Sequence, residues 1–111
     1  MTREELVART RQLVDEGERL RAHPSLPALR TWIQLSDELL AAAWGSMDRY
    51  HLVWLGVGRP RERVRGRAMT ASEEADYVRQ VAEQKTAALR MGLKAAQDGM
   101  PFVGETGPGT A

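Results

Sequence analysis

The stretch TASEEADYVRQVAEQKTAALRMGLKAAQD, Thr70 to Asp98, decides the fold class. It opens on Thr70 with Glu73 three residues later, the pairing of a capping box, in which a hydroxyl and a carboxylate each satisfy a free amide. Ala75, Val78, Ala82, Leu89, Leu93 and Ala96 then recur at three- and four-residue steps, with Val81, Ala88 and Gly92 beside them. That period belongs to one face of a helix and not to a strand. The spacing predicts a helix over about 71–98, roughly 40 Å long at about 1.5 Å per residue. Gly99 is placed to end it, and Pro101 prevents its continuation.

Working outward, the same period returns twice. Thr2 with Glu5 is a second capping box, and Leu6, Leu13 and Leu20 recur every seven residues beside Val7 and Val14. This predicts a first helix over 2–22, with Thr10 and Gly17 as small residues in its apolar stripe. His23-Pro-Ser-Leu-Pro27 interrupts the pattern, because a proline disfavours helical geometry in the residue before it. Residues 27–44 carry Leu29, Trp32, Ile33, Ser36, Leu39, Leu40, Ala43 and Trp44 on one broad side. A helix this apolar belongs at the centre of a fold. Residues 47–57 read as a short third helix starting after Ser46, with a strand over 51–57 as the alternative because Val53, Trp54 and Val57 favour extended backbone. The resulting expectation is an all-α protein: a three- or four-helix bundle with two long helices flanking a Trp-bearing central helix. Residues 1–103 form its single domain and 104–111, GETGPGTA, a flexible tail.

Composition narrows the function classes. The chain has 111 residues and a net charge of +1, so no global charge excess draws it to nucleic acid. It has no cysteine, which removes disulfides, thiolate nucleophiles and cysteine-based metal sites and fits a reducing cytoplasm. The first ten residues, MTREELVART, are charged where a secretory signal is apolar. No apolar run approaches the roughly 20 residues of a membrane span. The expected location is therefore cytoplasmic, without membrane association. Arginine outnumbers lysine 14 to 2 and asparagine is missing, a usage that fits a GC-rich genome.

Few residues point to chemistry. Arg59, Arg61, Arg63, Arg65 and Arg67 alternate with other residues, so in an extended chain their guanidinium groups line one edge about 6.6 Å apart. With Glu62 the segment carries a net +4, against −3 for the rest of the chain. Such an edge can follow a nucleic-acid backbone or an acidic protein, or can simply be a solvated loop paired with nearby carboxylates. Gly56-Val-Gly58 lacks the third glycine and the lysine of a phosphate loop. Asp48 and His51 stand three apart, but a dinuclear metal bundle needs two such pairs and two further carboxylates. No catalytic residue, metal ligand or cofactor is assigned, and the chain reads as a non-enzyme. Trp54 is a candidate interface residue, since tryptophan is favoured where partners meet. Ala88, Gly92 and Ala95 form a small-residue surface suited to a dimer seam between long helices.

Trp32, Leu39-Leu40, Gly45-Ser46, Tyr50 and Trp54, then Gly92-Leu93, Ala96 and Asp98-Gly99, give the stretch from Leu26 to Phe102 its pattern. In that pattern it resembles helical modules of bacterial defence and phage-conflict proteins. The resemblance implies a sensing, scaffolding or oligomerising role in a phage, mobile-element or defence setting, with a protein partner or a homodimer. It brings no catalytic residues, and the arginine-rich segment is not part of it. Nucleic-acid binding through Arg59–Arg67 is the alternative function.

Overall fold

The computed structural model describes residues 1–58 and 68–106. Among them are four helices and no strand: α1 (Arg3–Ala22), α2 (Leu26–Trp44), α3 (Arg49–Gly56) and α4 (Ala71–Gln97). The protein is an all-α bundle. Both capping boxes form, with the Thr2 and Thr70 hydroxyls accepting from the Glu5 and Glu73 amides at 3.1 and 3.2 Å. Ser25 caps α2, with Pro27 in the first turn where a missing N–H costs nothing. Gly45 closes α2 at φ +103°, a backbone region that a side chain would strain.

The third element is a helix and not a strand, and it starts two residues later than the apolar spacing predicts. Met47 takes a left-handed φ of +61° in a tight turn, and the Asp48 carboxylate, not Ser46, caps α3 by accepting from the Arg49 amide at 2.8 Å. Met47 therefore sits outside the helix with its side chain in solvent.

Helix α2 packs on α1, α3 and α4, which agrees with its broad apolar side, and α1 and α4 also lie on each other along most of α1. At Gly17 that approach leaves no room for a side chain. A β-carbon there would overlap the Thr86 hydroxyl of α4 and stand 2.9 Å from the Trp32 ring of α2. The glycine lets three helices meet at one level. Leu6, Leu29, Leu40, Val78 and Leu89 fill the core with at most 1 % exposure.

The tail does not begin at Gly104. The Gly104 amide donates to the Ala43 carbonyl at 3.1 Å and the Thr106 amide to the Met1 carbonyl at 2.8 Å. The N-terminal ammonium donates to the Gly104 carbonyl at 2.8 Å. Arg3 completes the junction: its guanidinium donates to the Ala96 and Met100 carbonyls at 2.9 and 3.0 Å, pairs with Glu105, and lies 5.2 Å from the centre of the Phe102 ring. Backbone pairing with the start of the chain thus extends the ordered domain through Thr106. Residues 107–111 lie outside the described residues.

Candidate binding groove

The interface residues expected on α3 and α4 are in the interior. Trp54 is 1 % exposed, Ala88 and Ala95 are buried, and Gly92 faces Trp44, Leu40 and Tyr50. The missing side chain of Gly92 admits Trp44 and Tyr50 of this chain, and Ala88 and Ala95 are covered beside it, so the seam expected there for a second molecule is filled from within. This corrects the sequence-based assignment of Trp54, Ala88, Gly92 and Ala95. Helical periodicity marks a face as buried without saying by what. Arg59, Arg61, Arg63, Arg65 and Arg67 lie outside the described residues.

Two polar groups near α3 prove to be structural. The His51 ring is 4 % exposed and stands 2.6 Å from the Asp37 carboxylate of α2 through Nε2, while its Nδ1 accepts from the Met47 amide at 2.9 Å. The amide can only donate, so Nδ1 is the acceptor and Nε2 carries the hydrogen given to Asp37. The Asp–His pair therefore ties α3 to α2 and does not involve Asp48, three residues before it in sequence. On the other side, Lys85 reaches from α4 to donate to the Trp54 carbonyl at 2.7 Å, with its ammonium 3.8 Å from the Trp54 ring centre. The cation meets the carbonyl end of α3, where the helix dipole favours positive charge. Among the described residues, no cluster of three or more His, Cys, Asp or Glu is placed to hold a metal ion. No helix there is long and apolar enough to cross a membrane.

What the surface does offer is a groove of about 590 Å³ between α1 and α2. Leu13 of α1 and Trp32 and Leu39 of α2 form its floor, and all three are buried. The Trp32 indole N–H donates to the Leu13 carbonyl at 2.8 Å, so its polar edge is satisfied and the rest of the ring is left for apolar contact. Leu35 stands at the mouth, 51 % exposed, with Ala28, Thr31 and Ala42 along the same stripe of α2. Arg9, Gln12 and Glu16 of α1 and Glu38 of α2 give the polar rim. An apolar floor within a charged rim is the layout of a protein-binding surface.

Sequence reasoning placed the floor residues on the apolar sides of α1 and α2 and assigned no partner to the stripe outside them. Its signal was present, since Leu35 and Ala42 widen the apolar side of α2 beyond what one neighbour covers. No protein-family model matches this chain, and no match is found among curated proteins or solved structures.

Proposed function

We propose that the protein is a non-enzymatic helical interaction module whose working surface is the α1–α2 groove. The observation that carries this reading is Leu35, a large aliphatic side chain half in solvent at the mouth of an apolar groove. A groove bounded by two helices accepts a third helix, whose apolar face lies on the floor while the rim sets its orientation. The resemblance of the Leu26–Phe102 stretch to helical modules of defence and phage-conflict proteins supports the same class of role. The lack of cysteine supports action in the cytoplasm.

Leu52 gives a matched control, because it is equally exposed, at 51 %, but lies on α3 away from the groove. A photo-crosslinking amino acid in place of Leu35 is expected to join the protein to another polypeptide in the cells that make it, and one in place of Leu52 is not. Equal yields at both positions, or none at Leu35, would overturn the proposal.

A further inference from the structure

We infer that the occupant of the α1–α2 groove is a second copy of this chain, docked so that the two α2 helices run antiparallel about a two-fold axis at Leu35. The inference rests on the groove being the working surface and adds the identity of the partner.

The outward stripe of α2 is Ala28, Thr31, Leu35, Glu38 and Ala42, all exposed. Its steps of three, four, three and four residues are those of a seam between two paired helices. The stripe is symmetric about Leu35 to within one residue, with Thr31 four positions before it and Glu38 three after. Leu35 has an alanine seven residues away on each side, and Thr31 and Glu38 occupy the positions between. In an antiparallel pair Leu35 meets Leu35, each Ala28 meets the second copy's Ala42, and each Thr31 meets the second copy's Glu38. The alanines let the helix ends approach and the leucines fill the middle, and the Thr31 hydroxyl, which donates to the Pro27 carbonyl at 3.3 Å within its own chain, turns to the second copy's Glu38 carboxylate. A closed two-fold contact requires this self-complementarity, in which one patch serves both partners. A parallel pair would instead set Glu38 against Glu38, two carboxylates in contact, which is unfavourable.

The rim adds charge complementarity. Helices α1 and α2 are antiparallel neighbours, tied by Leu13 to Trp32 at one level and by Met1 through Gly104 to Ala43 at another. Arg9 therefore stands level with the turn holding Leu35 and Ser36. Arg9 pairs with Glu5 at 3.5 Å in its own chain but keeps an exposed guanidinium, and across the two-fold axis it lies within about one helical turn, about 5.4 Å along the axis, of the second copy's Glu38. Within its own chain, the Glu38 carboxylate is exposed and accepts from Gln34 at 3.2 Å, so it is open to a second donor.

Sedimentation equilibrium and cysteine cross-linking test this. The wild-type protein is expected to sediment at twice the 12.4 kDa of one chain at micromolar concentration. Leu35→Glu should raise the dissociation constant by about a hundredfold, or abolish the dimer, while the circular dichroism spectrum keeps its helical intensity. Because the chain has no cysteine, single replacements report geometry directly. Leu35→Cys should form an intermolecular disulfide under mild oxidation. Ala28→Cys alone should not, but a mixture of Ala28→Cys and Ala42→Cys chains should. A wild-type protein that stays monomeric to several hundred micromolar overturns the inference, as does a dimer unaffected by Leu35→Glu or one in which Ala28→Cys cross-links to itself. If the monomer's Leu35 photo-crosslinks to a polypeptide of different mass, the second copy is excluded and the groove reading stands. If Leu35 cross-links to nothing, both fall.

Discussion

Single atoms decide more here than residue types do. At Gly17 the α1 backbone touches α4 and α2 at once, and a methyl group there would overlap the Thr86 hydroxyl. Gly17→Ala gains about 1 kcal/mol of helix propensity but forces three elements apart. Overpacking of this kind costs about 1–3 kcal/mol, and the overlap with a fully buried side chain places it at the upper end. Urea unfolding should show Gly17→Ala less stable by about 1–2 kcal/mol. Gly56→Ala should be neutral or stabilising, because nothing among the described residues lies within 4 Å of a β-carbon there. Trimming Thr86 to Ala alongside Gly17→Ala should recover part of the loss, a coupling that a double-mutant cycle measures. Lys85 is a second such position, since its side chain is buried while its ammonium serves the Trp54 carbonyl and ring together. Removal of a charged partner from a buried acceptor costs about 1.5–3 kcal/mol. Lys85→Ala should lose about that much in the same measurement and shift Trp emission as the ring loses the cation.

Among the elements, α3 and the chain ends depend on side-chain ties. Helix α3 has only eight residues, too few to persist on propensity alone. It is held by the Asp48 cap, by His51 to Asp37 and by Lys85 at its carbonyl end. Asp37→Ala leaves the His51 N–H without its acceptor and should cost about 1–2 kcal/mol. Amide hydrogen exchange should quicken in α3 first, with α1 protection unchanged. The terminal junction behaves similarly. Arg3 donates to the carbonyls of Ala96, near the end of α4, and of Met100 beyond it; Arg3→Ala removes both bonds and leaves the Ala96 carbonyl with the Gly99 amide at 3.3 Å. The expected loss is about 1 kcal/mol, with faster exchange at Gly104 and Thr106, whose amides bond to Ala43 and Met1. Unchanged exchange at those amides would show that the backbone pairing holds the ends without Arg3.

At the scale of the whole molecule, one core joins all four helices, so truncation at its centre should lower stability without uncoupling parts. Leu40 and Leu89 are fully buried in α2 and α4. Either one replaced by Ala should cost about 3 kcal/mol, read as a fall of about 10–20 °C in Tm, with the thermal transition still single. The helices were legible in the sequence because their signals are local. Two Thr–Glu capping boxes, a Pro break at 24–27 and apolar residues at 3.6 spacing each act within a turn or two, and the helix ends they predict lie within one or two residues of those observed. Partnership was not legible, because it depends on residues distant in the chain. The alanines and glycine of α4 look like a docking seam until the alanines prove buried and Trp44 and Tyr50 are seen against Gly92. Asp48 and His51 look like a pair until Asp37 takes the imidazole. Gly104 looks like the start of a tail until Met1 and Ala43 hydrogen-bond it. By itself the sequence determined the three long amphipathic rods and which side of each is apolar, since backbone geometry turns spacing directly into faces, while the short third element stayed open between helix and strand. Only the tertiary structure decided which apolar sides were used up inside and that the stripe around Leu35 was left over, because a fixed number of rods must share a finite core and what it cannot cover stays in water.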